Sequence, residues 1–391
     1  MRALLPRLIP FLLVMLTAVG LLHGYMWARL VSDPGWPAPF GVFGTGITVA
    51  LALCLPFSLI GSRLMRGPSA RIVAWAGYAW LGAIFYLDVT LLVLDGLRYA
   101  VSVAHASAGL EALVGTGVAG ARTSAWVAIG LAGATVTLGA LRGMGRPIIR
   151  RVEVPIAGLD PALDGFRIVQ ITDVHVGPVI RRAFVERLVA QVQALSPDLV
   201  AVTGDLVDGS VDELRSEVAP LAGLKAPSGV FFVTGNHEYF SGADAWSEHV
   251  QTIGMQALRN RHVVVEKDGA RFTLAGIDDA HAPRFGGHTD MLAALADRDP
   301  TLPVVLLAHQ PRSVTEAAEG GVALQISGHT HGGQMQPFGA LVRIEQPFLK
   351  GLHRVGPTAV WVSEGTGTWG PPLRVGTRSE ISEITLRARP A

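Results

Sequence analysis

Four stretches within the first 141 residues are almost free of charge and long enough to cross a bilayer, and nothing constrains the fold of this chain more. Residues 8–28 form a run of 21 without a charge, and about 20 residues at 1.5 Å each cross the roughly 30 Å of hydrocarbon in a membrane. Residues 40–61 are a second uncharged run, 72–94 a third broken only by Asp88, and 123–141 a fourth. A cleaved leader does not suit the first, because its apolar region is too long, has no small-residue cleavage site and is followed by further spans. The pattern predicts an all-α transmembrane domain of four helices over residues 1–150, with the lipid bilayer as its partner.

Arginines give the direction. Arg2, Arg7, Arg63, Arg66, Arg71, Arg142, Arg146, Arg150 and Arg151 fall on one side of a four-span arrangement, and Arg29, Arg98 and Arg122 on the other. Cytoplasmic loops collect such charge, so both termini and everything after residue 150 are expected in the cytoplasm, on a multi-pass protein of the cell (inner) membrane. Trp27, Trp36, Trp75 and Trp126 lie near span ends, where amphipathic rings prefer the interface. Asp88 has two readings: an acid at membrane depth is a functional candidate, but it lies seven residues before Asp95, about 10–11 Å from the outer end, and suits an interface or helix-pairing acid. The stretch from Tyr99 to Gly120, with His105 and Glu111, reads as an outside loop or surface helix.

After Arg151 the chain changes character. Eleven Arg, no Lys and four acids give residues 1–150 a net +7, so the overall +1 leaves −6 on the remaining 241. No basic stripe with interleaved aromatics is present, and no nucleic acid is expected as a partner. Ten of the twelve histidines and all but four of the 31 acids lie beyond residue 150, which places the chemistry there. The single cysteine, Cys54, sits in an apolar run, excluding an internal disulfide or a cysteine-based metal site.

Short β-branched runs now alternate with helix-period stretches, the pattern of an α/β domain over residues 151–391. Phe166 to Thr172 reads as a strand ending in Asp173-Val174-His175, followed by an amphipathic helix near 182–195. Leu199 to Thr203 ends in Gly204-Asp205, and Val230 to Thr234 ends in Gly235-Asn236-His237-Glu238. Pro303 to Ala308 ends in His309, and Ala323 to Ser327 ends in Gly328-His329-Thr330-His331. Five strands thus deliver ligand-type residues at their carboxyl ends, the edge where loops of an α/β sheet converge on one crevice. Residues 262–266 and 271–277, around Lys267-Asp268-Gly269, predict a hairpin. In an extended segment residues i and i+2 point the same way, about 6–7 Å apart, so His329 and His331 can reach different members of a metal pair ~3.5–4 Å apart. Asp173, His175, Asp205, Asn236 and His309 supply the remaining oxygen and nitrogen ligand types.

In that order DVH, GD, GNHE, a lone His after an apolar strand and GHTH resemble the signature of the calcineurin-like metallophosphoesterases, over about residues 153–387. A membrane segment before VEVPIAGLDPALDGFRIVQITDVHVGP is similar to the bacterial membrane-bound branch of that family. The resemblance implies a sandwich of two mixed β-sheets flanked by helices. It also implies two divalent metal ions, the first on Asp173, His175, Asp205 and His331, the second on Asn236, His309 and His329, with Asp205 bridging. His237 would then be catalytic, stabilising phosphoryl charge or protonating the leaving oxygen. Imidazole and carboxylate ligands suit Mn, Fe or Zn.

His249, His262, His281, His288 and His353 match no block and read as surface or core histidines, His281 being the best candidate among them for a substrate contact. Residues 365–370, GTGTWG, fit a dinucleotide fingerprint on paper, but Pro371-Pro372 follow where a helix should begin. The resemblance makes this a loop near the site, with Trp369 and Arg374 as substrate contacts. Glu238 reads as a structural hydrogen-bond acceptor. The expected function is a membrane-anchored phosphoesterase that cleaves a phosphodiester, phosphomonoester or pyrophosphate bond of a phosphorylated, lipid-linked small molecule. Its competitors are a UDP-2,3-diacylglucosamine pyrophosphohydrolase of lipid A synthesis and a non-catalytic membrane sensor or scaffold.

Overall fold

A computed structural model describes residues 5–61, 65, 67–103 and 117–389. Arg2, Arg63, Arg66, His105 and Glu111 lie outside the described residues. The chain divides into two compact units, residues up to Leu141 with Gly370–Pro372, and Arg142–Trp369 with Leu373 onward.

The first unit is built on helices α1 (Leu5–Trp27), α2 (Ala38–Pro56), α3 (Pro68–Val103) and α4 (Val118–Gly143). Four helices here are long and apolar enough to cross a membrane. Leu13, Val14, Leu21, Phe40 and Val42 stand exposed on them, an apolar surface too extensive for water. Of the stretch expected as an outside loop or surface helix from Tyr99 to Gly120, the described ends continue the long helices: α3 runs 36 residues to Val103, about 54 Å, and α4 has begun by Val118. Asp95 does not stop it, because its carboxylate accepts from Tyr25 Oη at 2.7 Å and faces Arg29 Nε at 2.8 Å and Arg98 Nη1 at 3.3 Å. Arg122 donates to the carbonyls of Pro34 and Gly35 at 2.9 and 2.8 Å. Asp88 is buried, and neither of its oxygens meets a hydrogen-bond partner among the described residues.

The second unit holds two six-stranded sheets. The strands are β1 (Ile148–Ala157), β2 (Arg167–Ile171), β3 (Leu199–Thr203), β4 (Val230–Val233), β5 (Gln256–Ala257), β6 (Arg261–Lys267), β7 (Ala270–Gly276), β8 (Val304–Leu307), β9 (Leu324–Ser327), β10 (Gly351–Val355), β11 (Thr358–Val362) and β12 (Glu380–Arg389). Their orders are β1-β12-β2-β3-β4-β5 and β10-β11-β9-β8-β7-β6. Both sheets are mixed: β12 runs antiparallel to β2, and β7 to β6 in the expected hairpin, while β2, β3 and β4 are parallel, as are β7, β8 and β9.

Strand periodicity explains the layering. Successive side chains face opposite sides of a strand, so Ile168, Leu199, Ala201, Phe231 and Val233 point into one core with Phe272, Leu274, Val305 and Ile326 of the second sheet. Their neighbours Val169, Val200, Val202 and Phe232 point the other way. There they meet α5 (Arg182–Ala194), α6 (Val211–Val218) and, beyond the short α7 (Asn236–Ser241), α8 (Ala243–Thr252), through Leu188, Val192, Leu214 and Trp246. Further helices cover the second sheet: α9 (Met291–Leu295) and α10 (Val314–Glu319) lie against it through Leu295 and Ala317. With both faces covered, the central strands are largely apolar, with Gln170, Thr273 and Gln325 buried among them, and the candidate ligands collect where β2, β3, β4, β8 and β9 end.

Candidate di-metal centre

Three of those five ends, after β2, β3 and β9, turn sharply, and the backbone shows how. Asp173, His175, Asp205, His329 and His331 all have positive φ, between 50° and 69°, a region that costs a non-glycine residue about 1–3 kcal/mol and survives only where its surroundings enforce it. The enforcing bonds run between strand ends: Asp173 N–H donates to Gly204 O at 3.0 Å and His175 N–H to Asp205 O at 3.1 Å. His329 N–H donates to the Asp173 carboxylate at 3.0 Å. Two glycines permit the closest approaches. A Cβ on Gly328 would lie 2.2 Å from Asp173 Oδ2, and one on Gly235 would lie 2.2 Å from Asp205 Oδ1.

The result is two adjoining clusters, Asp173, His175 and His331 in one and Asp205, His309 and His329 in the other, the ligand atoms of each lying within 4.8 Å of one another. In the first, His175 Nε2 is 3.1 Å from His331 Nε2, which is 3.4 Å from Asp173 Oδ1. In the second, His309 Nε2 is 3.2 Å from His329 Nδ1. One atom faces both: Asp205 Oδ2 is 3.2 Å from His309 Nε2 and 3.8 Å from His175 Nε2. The other Asp205 oxygen is held by the backbone N–H of His237 at 2.8 Å. Asn236 Oδ1 is buried and meets no hydrogen-bond partner among the described residues.

So many buried lone pairs aimed at one another repel unless a cation lies between them, and an imidazole and carboxylate set of this kind suits a binuclear metal site. Around the clusters, His309 Nδ1 is 2.8 Å from Thr203 O and His175 Nδ1 2.9 Å from Asp208 Oδ1, contacts that orient the opposite ring nitrogen inward. Electrostatics agree with ligation. Burial, reinforced by His309, pushes His329 down to about 3, and burial with Arg374 nearby holds His331 well below the usual histidine range, so both stay neutral. Burial would raise the Asp205 carboxyl, but His309, then His237, outweigh it and keep it well below the normal value.

His237 lies beside the clusters. Its Nδ1 contacts Asp208 Oδ1 at 2.6 Å, so one carboxylate oxygen serves both His175 and His237. Burial would lower this imidazole, but Asp205 and Asp208 outweigh it and raise it to about 9. Asp208 is the residue that sequence reasoning missed; the only signal was a second acid three positions after Asp205. Glu238 is the structural acceptor expected, taking the N–H groups of Asp205, Leu206 and Gly235 at 2.9, 2.8 and 2.7 Å.

Of the three expected substrate contacts one reaches the cavity, of about 350 Å³, that opens over the clusters. Trp369 lines it, half exposed, its ring 6.1 Å from that of His237 and its backbone clamped by the Gln334 amide at 2.8 and 2.9 Å. His281 does not line it, because its ring turns to Asp279 at 3.1 Å and Gln310 at 2.9 Å. Arg374 is fully buried and does not line the cavity. It spends its donors on the carbonyls of His331, Glu364, Gly365 and Gly367, at 2.8, 2.5, 3.3 and 2.6 Å, and so ties the residue 365–370 loop to the His331 turn.

Comparison with known proteins follows the same residues. The calcineurin-like phosphoesterase profile matches residues 166–333. A Danio rerio protein named transmembrane protein with metallophosphoesterase domain is 39% identical over 259 residues, 64% of this chain and 59% of its own length. A Helicobacter pylori protein named as an uncharacterized metallophosphoesterase is 37% identical over 251 residues, 63% of this chain and 66% of its own. The matches to these two thus span less than two thirds of their lengths. One from Aquifex aeolicus, likewise named, is 34% identical over 227 residues, 57% of this chain and 85% of its own. With a relative of this similarity matched over most of its length, the chain belongs to the calcineurin-like phosphoesterases.

Proposed function

We propose that this chain is a membrane-anchored metallophosphoesterase, with residues 1–150 as a four-span anchor and 151–391 as the hydrolase. The observation that carries the reading is Asp205 Oδ2, one carboxylate oxygen facing two separate ligand clusters. Asp173, His175, Asp205 and His331 would hold the first ion, and Asp205, Asn236, His309 and His329 the second, each Mn, Fe or Zn. Such a pair, when bound, supplies Lewis-acid activation of a water nucleophile and neutralises phosphoryl charge. The protein's own contribution is orientation. Asp208 fixes His237 through Nδ1, leaving Nε2 to give a proton to the leaving oxygen or to hydrogen-bond a phosphoryl oxygen. The substrate is a phosphorylated, lipid-linked small molecule, a reading supported by the four apolar helices and by the transmembrane name of the Danio rerio relative.

Full-length protein purified in detergent is expected to hydrolyse an aryl phosphodiester, to lose that activity on chelation and to regain it with Mn or a similar cation. Two bound ions with no turnover of any phosphoester would instead favour a ligand-binding sensor. For orientation, we propose a cytoplasmic hydrolase at the inner membrane, supported by the arginine bias. A reporter fused after Ala391 should behave as cytoplasmic and one placed near Asp33 as external; the reverse pattern would move the substrate to the outer face.

A further inference from the structure

Resting on the phosphoesterase reading, the cavity's remaining walls speak to the part of the substrate that is not phosphate. Beyond the candidate ligands and His237 its wall carries Phe338, Leu341 and Val342 from one segment and Trp369 from another, beside the polar Thr330, Gln334, Glu345 and Gln346. Leu341 belongs to helix α11 (Gly339–Glu345) and is 59% exposed. Phe240, 58% exposed, places its ring 5.4 Å from that of His237. Large apolar side chains left in water around a polar centre mark a surface that is covered by something else.

Charge narrows what that is. Among the described residues no Lys or Arg lines the cavity, and its one acid away from the clusters, Glu345, is paired with Arg312 at 3.0 Å. Arg343 of α11 and Lys350 border a separate hollow instead. A nucleotide or pyrophosphate carries several negative charges and is normally met by guanidinium or ammonium groups. A phosphoester of a long-chain alcohol needs only the metal centre for its phosphoryl group and an apolar wall for the rest. The same chain carries four helices apolar enough to enter a bilayer, where amphiphilic phosphoesters concentrate. We infer that Phe338, Leu341, Val342 and Trp369 form a subsite for the hydrocarbon chain of the substrate, and that α11 sets specificity for apolar over nucleotide-linked phosphoesters.

Binding tests this apart from turnover. Methyl, butyl and hexyl phosphate would be titrated calorimetrically into the full-length, Mn-loaded protein in detergent, with inorganic phosphate and UDP as references. Affinity should rise about twofold to fourfold per methylene, the upper figure being that of a fully buried group, and UDP should bind no more tightly than inorganic phosphate. Leu341→Asp should flatten the series. Leu341 is exposed, so this substitution removes no core packing. Ile344→Asp, on the same helix but outside the cavity and 82% exposed, should leave the slope intact. A flat series in the unmodified protein with inorganic phosphate still bound, UDP binding tighter than hexyl phosphate, or equal flattening by both variants would overturn the subsite and leave the phosphoesterase reading standing. If two metals are present and no phosphate of any kind binds, the phosphoesterase reading falls and the subsite falls with it.

Discussion

Replacing Asp205 by alanine is expected to strip the protein of both metals and to lower phosphodiester hydrolysis by about 10³–10⁵, the equivalent of several kcal/mol of lost Lewis-acid stabilisation. The magnitude follows from position. Among the described residues Asp205 Oδ2 faces both clusters, whereas loss of Asp173 or His329 would vacate one cluster. Asp205→Asn separates charge from shape, since it keeps an oxygen for the His237 N–H contact made at 2.8 Å yet presents an amide to the imidazoles. Metal analysis of both variants decides the matter: two ions per chain in either would sink the bridging assignment.

Replacing His237 by alanine should have the opposite signature. Both metals should stay, because the Nδ1 of His237 is taken up by Asp208, while kcat falls by roughly 10²–10⁴, the usual range for one general acid or charge-stabilising group. The loss should shrink as the leaving group improves, since an activated aryl ester needs little protonation and an alkyl ester depends on it. Equal losses across a leaving-group series would mean that the imidazole stabilises phosphoryl charge instead of donating a proton. Loss of a metal would contradict its assignment.

The convergence of five strand ends carrying candidate ligands was legible because each follows a short apolar run and ends in glycine, histidine or acid, a local signal that survives any tertiary arrangement. Asp208 was not. An acid three residues along a loop looks solvated in one dimension, and only the fold turns it back between His175 and His237. Arg374 misled for a related reason. An arginine after a glycine-rich loop reads as exposed, but the carbonyls of that loop need donors in the interior and its guanidinium supplies them. Helix α3 outran its apolar stretch because Asp95 meets Tyr25 and Arg29 on a neighbouring helical segment as well as Arg98 on its own, pairings that hydropathy along one segment cannot register.

The position of β12 sets a timetable for biogenesis. It lies between β1 and β2, pairing Ile148 with Glu380 on one side and Ile168 with Ile384 on the other, so the two earliest strands of the sheet are joined only by one made more than 200 residues later. Closing so long a loop carries a large entropic cost before any pairing rewards it. During synthesis the membrane helices can be inserted while β2, an apolar strand with both faces destined for burial, still has an open edge. That edge is a template for mispairing with other chains. A nascent chain stalled before residue 380 would therefore leave β1 and β2 unjoined and the outer edge of β2 open.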